Sequence, residues 1–264
     1  MLVVSVLSLK GGVGKTSVVL GLAGAALKKC LSTVVIDLDP QGNATSVLRS
    51  RRIRGTATTV LAHPTGESIR EALTRSDWKG GGDIRLIASD PNLVRFDAWS
   101  GTHAFRPKLA RAVKHLDVDL VLIDCPPSLG ALTREALAAA DLAVVVTTPS
   151  YFGAQGAERA IAEIRVIRDS VNPRLEFAGI VVNRLREKTE EHRYRKRELI
   201  QIHGAQAVLK PYIPERVAVQ QAESAGQPLQ AVKSQGAREV SKAFDKMLGR
   251  LIKFGKDRET AQSQ

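Results

Sequence analysis

Lys10-Gly-Gly-Val-Gly-Lys15-Thr16-Ser17 is the stretch that decides the fold, because it joins an apolar strand directly to an apolar helix. Its three glycines permit backbone conformations that side chains forbid, so successive N–H groups can turn inward around phosphate oxygens. The positive end of the following helix adds to this attraction. Lys15 supplies a charge for the β- and γ-phosphates, and the Thr16 hydroxyl is placed to coordinate Mg²⁺. The predicted nucleotide-binding residues of the loop are Gly11, Gly12, Val13, Gly14, Lys15, Thr16 and Ser17.

The loop departs from the standard GxxxxGK[ST] pattern at its first glycine, where Leu9 stands. Next to it is a second lysine, Lys10, five residues before Lys15. A glycine-rich turn that binds nothing is the alternative, but a strand before the loop, a helix after it and Lys-Thr at its end favour a phosphate site.

The chain around this loop alternates short runs of Val, Ile and Leu with longer amphipathic stretches. Nearly continuous apolar runs are typical of parallel strands covered on both faces by helices. The sequence therefore predicts an α/β fold, a doubly wound and mostly parallel sheet with helices on both faces. Strands are predicted at Leu2–Leu7, Thr33–Ile36, Ile84–Ala88, Leu120–Ile123, Leu142–Val146 and Phe177–Val182. Helices are predicted at about 15–29, 43–49, 104–115, 130–139, 154–170, 188–203 and 236–254.

Domain organisation is predicted to be simple, with a single domain over residues 1–254. Residues 50–83 are the least regular part and are predicted to form a surface excursion with one short helix near Glu67–Arg75. Residues 255–264 are polar and are predicted to be a disordered tail.

Cysteine content and hydropathy indicate the cellular compartment in which the protein works. Cys30 and Cys125 are the two cysteines, and neither has the spacing of a disulfide framework, a zinc ribbon or an iron–sulfur cluster. No apolar run approaches the roughly 20 residues that a transmembrane helix needs. We therefore expect a cytoplasmic protein.

Carboxylates follow two of the predicted strands. Asp37 and Asp39 end the run that begins at Val34, and Asp124 ends the run that begins at Leu120. The ligand crevice of a parallel sheet lies at the carboxyl ends of its strands, so we expect the three carboxylates to converge on Lys15. Asp124 would hold Mg²⁺ through water, and Asp39 could orient or deprotonate the attacking water. The candidate metal ligands are Thr16, Asp39 and Asp124, and the candidate catalytic residues are Lys10, Lys15 and Asp39.

A base-binding pocket is predicted later in the chain. Asn183 follows a strand, where its side-chain amide can read the edge of a base, and Pro214 offers an apolar wall. An asparagine after a strand is more often a turn residue, so the prediction rests on the pair.

Charge suggests a polyanionic partner. The chain carries 39 Lys and Arg against 27 Asp and Glu, a net charge of +12, and residues 184–264 hold +7 of it (17 basic and 10 acidic side chains). Aromatic residues make up only 4%, which favours duplex backbone over stacked single strands as the target. Interleaved glutamates leave open a solvated, self-paired helix face. The candidate DNA contacts are Arg184, Arg186, Lys188, Arg193, Arg195, Lys196, Arg197 and Arg216.

Four motifs together resemble the ParA/MinD group of deviant-Walker P-loop ATPases, and most of all its ParA (Soj-like) partition proteins. They are KGGVGKTS at 10–17, VVIDLDPQGNAT at 34–45, VLIDCPPSLG at 121–130 and IPERVAVQQAESAGQPL at 213–229. The resemblance implies an ATPase that uses ATP and Mg²⁺.

The resemblance also implies roles for individual residues and for partners. Lys10 would reach across an ATP-dependent homodimer to the partner's phosphates, Asp39 would support hydrolysis, Asp124 would belong to Walker B, and Asn183 and Pro214 would flank adenine. Such dimers coat the nucleoid by binding double-stranded DNA without sequence preference. A ParB-like or other adaptor protein stimulates hydrolysis, and the cycle positions cargo.

Two other functions remain open on the sequence alone. A basic amphipathic stretch, Phe244 to Phe254, could attach to a membrane as in MinD, although a stripe packed on the sheet is the simpler explanation. A metabolic synthetase on the same fold would need neither Lys10 nor a basic C-terminal third. We expect DNA rather than membrane as the partner.

Overall fold

The computed structural model describes residues 1–48, 53–97 and 105–262. Its strands are β1 (Leu2–Leu7), β2 (Ser32–Asp37), β3 (Thr74–Arg75), β4 (Asp83–Ile87), β5 (Leu120–Asp124), β6 (Leu142–Thr147), β7 (Glu176–Val182) and β8 (Val208–Leu209). Its α-helices are α1 (Lys15–Lys28), α2 (Asn43–Leu48), α3 (Ala57–Ala62), α4 (Gly66–Ala72), α5 (Val94–Asp97), α6 (Leu109–Val113), α7 (Ala131–Ala139), α8 (Tyr151–Ser170), α9 (Glu190–His203), α10 (Val217–Ala225) and α11 (Gln235–Gln262).

The described strands form one eight-stranded sheet in the order β3-β4-β2-β5-β1-β6-β7-β8. Every pairing is parallel except that of β3 with β4. This confirms the predicted doubly wound α/β fold. It also places β1, which leads into the glycine-rich loop, at the centre of the sheet between β5 and β6.

Helices cover both faces of the sheet, and alternate residues of each strand enter one of two cores. In β5, Leu120 and Leu122 pack on the face covered by α1 and α11, whereas Val121 and Ile123 pack on the face covered by α7 and α8. All five β5 side chains are buried. A strand buried on both faces needs a continuous apolar sequence, which explains why the apolar runs located the strands.

The irregular stretch after α2 contains more structure than the single helix predicted near Glu67–Arg75. Within its described residues it holds α3, α4 and the two-residue strand β3. Thr56 and Thr65 begin the two helices with capping boxes, in which Thr59 and Ser68 complete the reciprocal bonds. These short Thr-x-x-Thr/Ser signals fix helix starts that apolar periodicity misses. The predicted residues 49–52 and 104 lie outside the described residues.

The end of the chain differs most from the prediction. The sequence predicts that the last helix stops near residue 254, but α11 continues through Gln262, so a disordered tail is wrong for residues 255–262. Residues 263–264 of the predicted tail lie outside the described residues. Gly255 packs against Leu2, and the Arg258 guanidinium binds the carboxylate of Asp141 at 2.9 Å. Polar composition alone is misleading here, because this end of the helix is fixed by one close backbone approach and one ion pair.

The apolar stripe of α11 belongs to the core. Phe244, Met247, Leu248 and Leu251 are at most 1% exposed, and the Phe244 ring lies against Gly21 of α1. The expectation that this stripe packs inside the protein rather than on a lipid surface is confirmed. None of the described helices has the length and apolar character needed to cross a membrane.

We expect Phe244→Ala to lower the free energy of unfolding by about 3–5 kcal/mol, because it opens a cavity between α11 and α1. Chemical denaturation measures the loss. Phe254→Ala is the matched control on the same helix, since Phe254 is 40% exposed, and it should change stability by less than about 0.5 kcal/mol. Equal effects of the two substitutions would show that the Phe244 stripe does not hold α11 in place.

Candidate nucleotide-binding site

The glycine-rich loop after β1 is shaped for an anion. Gly12 and Gly14 have positive φ values of 76° and 85°, a conformation that strongly favours glycine. A Cβ at Gly12 would meet no atom within 4 Å, whereas one at Gly14 would collide with the amide of Asn183. No side chain in the described chain caps the first N–H groups of α1. They are therefore available to phosphate oxygens.

Thr16 and Asp124 connect the first turn of α1 to the end of β5. The Thr16 hydroxyl donates a hydrogen bond of 2.7 Å to Oδ2 of Asp124. The Asp124 side chain is fully buried, and its Oδ1 has no hydrogen-bond partner among the described residues. Burial raises the pKa of Asp124 well above its usual range, and the nearby charge of Asp37 raises it further.

The three predicted carboxylates do converge. Asp37 and Asp124 are aligned in neighbouring strands, and both Asp37 and Asp39 raise the pKa of Asp124 by charge repulsion. Burial raises the pKa of Asp37 to about 6, although hydrogen bonds from Thr45 oppose the rise. Lys15, 6% exposed, acts on the pKa of Asp124 in the opposite sense. A buried cluster of like charges is a costly arrangement that is common at functional sites.

Two cavities meet at the loop. The larger, about 550 Å³, is lined by the glycine-rich loop together with Asp39 and Pro127. The smaller, about 380 Å³, is lined by Asn183 and Pro214, among others. Residues common to both cavities form a waist between them. The waist residues are Ser17, Arg184 and Glu223.

Asn183 and Pro214 thus share one cavity, as the base-pocket prediction requires. In the structure the Asn183 amide donates a 2.8 Å hydrogen bond to the carbonyl of Val13, and Asn183 is buried. The Asn183 Nδ2 therefore holds the main chain of the glycine-rich loop at Val13, a contact that the sequence pattern did not reveal.

Glu223, on α10, is a site residue that the sequence reasoning missed. Its Oε1 accepts a 2.5 Å hydrogen bond from the Ser17 hydroxyl. It comes 206 residues after Ser17 in the chain, and α10 itself was not among the predicted helices. The only available signal was its place within the fourth family motif.

Lys10 has a different environment from Lys15. It is exposed, and its Nζ lies 6.0 Å from the centre of the Phe152 ring. Lys10 is not one of the described residues that line either cavity. Its ammonium is therefore directed to the surface beside the loop rather than into the site of its own chain.

The candidate DNA contacts are more fully paired than their number suggests. Five of the eight bind glutamates, and Arg195 also lies over the rings of Tyr151 and Tyr194. Within the described chain, Arg184, Lys188 and Arg197 make no ion pair. The pairs are Arg186–Glu215, Arg193–Glu190, Arg195 with Glu191 and Glu198, Lys196–Glu187 and Arg216–Glu239.

The residues present fit a magnesium-bound nucleotide. No group of three or more His, Cys, Asp or Glu in the described residues could hold a metal ion alone. Mg²⁺ is commonly held by one or two protein ligands together with substrate phosphates and water. The unpartnered Oδ1 of Asp124 and the hydroxyl of Thr16 are oxygen ligands of the required type.

A central parallel sheet, a glycine-rich loop that opens a helix and buried carboxylates at the strand ends define a P-loop NTPase. The family described as an AAA domain matches residues 1–177. The chromosome-partitioning ATPase Soj of Thermus thermophilus is 32% identical over 92% of this chain and 93% of its own. Chromosome partitioning protein ParA of Caulobacter vibrioides is 32% identical over 97% of this chain and 96% of its own.

A solved structure of similar fold contains a bound nucleotide. Cobyrinic acid a,c-diamide synthase of Mycobacterium smegmatis, with a bound ATP analogue and magnesium, has a TM-score of 0.76 at 28% identity and 94% coverage of both chains. The chain belongs to the ParA/MinD family of P-loop ATPases. Membership supports nucleotide and magnesium binding and, in general terms, nucleotide hydrolysis.

Asp124→Asn should stabilise the ligand-free protein at pH 7 by about 1–3 kcal/mol, because it removes a buried charge that the fold opposes. The folded chain binds the Asp124 proton more tightly than the unfolded chain, so wild-type stability falls as the pH rises above about 4. Since asparagine does not titrate, the advantage of the variant should vanish towards pH 4. Thermal unfolding in EDTA at several pH values measures it.

Asp119→Asn is the control of opposite sign. Hydrogen bonds from Ser32 lower the pKa of Asp119, so its carboxylate stabilises the fold above its unfolded pKa and that contribution is lost as the pH falls. This variant should be less stable than wild type at pH 7. A loss of stability in Asp124→Asn at pH 7 would contradict the assigned electrostatics.

Proposed function

We propose that this protein is an ATP-dependent, dimerising partition ATPase that binds DNA without sequence preference in its ATP state. The observation that carries the nucleotide part is the pair of cavities joined at a waist. A nucleotide has a flat base and a phosphate tail linked by a sugar, and the two cavities with their shared residues match this shape. Adenine would occupy the cavity of Asn183 and Pro214, and the phosphates would occupy the loop.

The residues around the phosphate cavity support hydrolysis. Lys15 would offset the charge of the β- and γ-phosphates from a buried position. Thr16 and Asp124 would hold Mg²⁺, which would neutralise the developing phosphate charge. Asp39, 6% exposed and lining the same cavity, would orient or deprotonate the attacking water.

Lys10 supports the dimer part of the proposal. A lysine that lies on the surface beside the loop, outside both cavities of its own chain, can reach phosphates held by a second copy. The exposed ring of Phe152 lies 6.0 Å from its ammonium, and exposed Tyr151 packs edge-on against Phe152. ATP would then be required for dimerisation, because its phosphates supply the charge that Lys10 binds.

The basic surface supports DNA contact, although the ion pairs reduce its strength. Arg193 and Arg197 lie one turn apart on α9 and are exposed. The Arg193 pair is 3.7 Å long, to a glutamate side chain that is 93% exposed. Exposed pairs of this kind contribute about 0–1 kcal/mol, so a DNA phosphate can replace the glutamate.

The partition relatives support partition over the synthetase alternative, since Soj and ParA are 32% identical to this chain and the solved synthase is 28% identical. Soj and ParA match almost the whole chain and are described as partition proteins, and the net charge of +12 suits a polyanionic partner. We propose that the protein acts at the nucleoid in the cytoplasm and that a ParB-like adaptor stimulates its hydrolysis. The buried stripe of α11 gives no support to attachment at a membrane.

Lys15→Ala and Lys10→Ala should separate binding from dimerisation. Loss of the buried Lys15 charge should weaken ATP binding by roughly 30- to 1000-fold, about 2–4 kcal/mol. Lys10→Ala should bind ATP within about twofold of wild type but stay monomeric, since it does not line its own site. Isothermal titration and light scattering measure the two effects. Unchanged affinity in Lys15→Ala would remove the loop assignment, and an intact ATP dimer of Lys10→Ala would remove the cross-subunit role.

The double variant Arg193→Ala/Arg197→Ala removes two exposed positive charges from α9. With Mg·ATP, it should bind two unrelated duplexes equally weakly, because phosphate binding carries no sequence information. The slope of log K against log salt should become shallower by about 1 for each phosphate that these arginines neutralise in the wild-type complex. Filter binding at several salt concentrations measures both effects. ATP-dependent dimerisation should be retained.

Arg70→Ala/Lys79→Ala is the matched control. It removes the same charge from exposed positions near the β3–β4 edge of the sheet, far from α9 in strand order. Its salt slope should equal that of wild type. Equal losses in the two double variants would mean that net charge, not the α9 surface, drives binding. Equal affinity with ATP, ADP and no nucleotide would overturn the gated model.

A further inference from the structure

Ser89 connects the two ends of the segment that carries Asp39. Its hydroxyl donates a 2.5 Å hydrogen bond to the main-chain carbonyl of Asp39. Its backbone N–H donates a 2.9 Å hydrogen bond to the hydroxyl of Thr45. One residue outside the segment 39–45 therefore fixes both its start and its end.

Asp37 belongs to the same hydrogen-bond network and contacts both Asp39 and Thr45. Its Oδ2 accepts hydrogen bonds from the Thr45 N–H and hydroxyl at 2.8 and 2.7 Å, and its Oδ1 accepts one from the Asp39 N–H at 3.2 Å. The carboxylate is buried at the end of β2. The peptide groups on both sides of Asp39 are thus held, the N–H by Asp37 and the carbonyl by the Ser89 hydroxyl and, within the turn, by the Gly42 N–H at 2.9 Å.

Ser89 is itself held by the sheet. It follows β4, which pairs in parallel with β2 up to Ile36 and Ile87, and the adjacent Ala88 carbonyl accepts a hydrogen bond from the Ala57 N–H at 2.8 Å. A hydroxyl placed by a rigid strand can fix a loop more accurately than another loop can.

We propose that Ser89 is a positioning residue for hydrolysis, which orients the Asp39 carboxylate by fixing the Asp39 carbonyl. The proposal rests on the proposed role of Asp39 with the attacking water. The direction of a side chain follows the orientation of its own peptide groups, and a displacement of about 1 Å can cost up to 100-fold in rate. Ser89→Ala removes only the hydroxyl and leaves the N–H bond to Thr45 intact.

The expected result is a split between turnover and binding. Single-turnover hydrolysis of Mg·ATP by Ser89→Ala should be about tenfold slower or more, whereas its ATP affinity should stay within about twofold of wild type. Ser89→Thr keeps the hydroxyl and should restore at least half of the rate. A purely structural role would not produce this rescue together with unchanged affinity.

Ser76→Ala is the matched control. The Ser76 hydroxyl also donates to a main-chain carbonyl, that of Leu48, at 2.7 Å, and Ser76 lies next to β3 at the same side of the sheet. Its loss breaks a comparable bond without touching Asp39. Hydrolysis by this variant should stay within about twofold of wild type. A tenfold loss in Ser76→Ala would assign the effect to general loosening of this edge and overturn the proposal.

Asp39→Ala, measured in parallel, separates this proposal from the proposed function. If Asp39→Ala is inactive and Ser89→Ala turns over at the wild-type rate, the role of Ser89 is wrong and that of Asp39 stands. If Asp39→Ala hydrolyses ATP normally, the role of Asp39 is wrong and the proposal for Ser89 falls with it.

Should Ser89→Ala fail to fold, Ser89→Cys tests the same bond with a weaker donor of similar shape and should give an intermediate rate. A wild-type rate in the folded Cys variant would overturn the proposal.

Discussion

The hydrogen bond from Thr16 to the buried carboxylate of Asp124 joins the helix that opens with the glycine-rich loop to the strand beside it. Because Asp124 lies at the end of β5 and in register with Asp37 of β2, this bond sets the position of the loop relative to both acidic strand ends. Burial disfavours the ionised form of both carboxylates and raises the pKa of each. In the ligand-free protein, nearby groups only partly compensate the negative charge of these carboxylates. A bound cation would therefore add the most electrostatic stabilisation at this site.

Much of this arrangement is encoded locally, which is why the sequence could predict it. The loop from Lys10 to Ser17 needs no distant partner to be recognised, and the apolar run before Asp124 is long enough to identify a strand buried on both faces. The convergence of Asp37, Asp39 and Asp124 followed from one topological rule about parallel sheets. The structure confirms it.

What the sequence did not reveal depends on pairings between distant residues. Glu223 reaches Ser17 from a helix that starts 200 residues later, and Arg258 extends α11 by binding Asp141. Likewise, the eight candidate basic residues indicate a strong positive surface until glutamate partners are placed beside five of them. The sequence gives the number of charged residues, but only the structure shows which of them are already neutralised by an ion pair.

The position of β1 has a consequence for the order in which the protein can form. Its two neighbours, β5 and β6, are more than a hundred residues further along the chain, and α1 packs on α11 at the far end. During synthesis the glycine-rich loop leaves the ribosome before either strand that flanks β1, because β5 begins 113 residues after β1 ends (120 minus 7) and β6 comes later still. Contacts between distant parts of a chain form slowly. The nucleotide site is therefore assembled well after its glycine-rich loop has been translated.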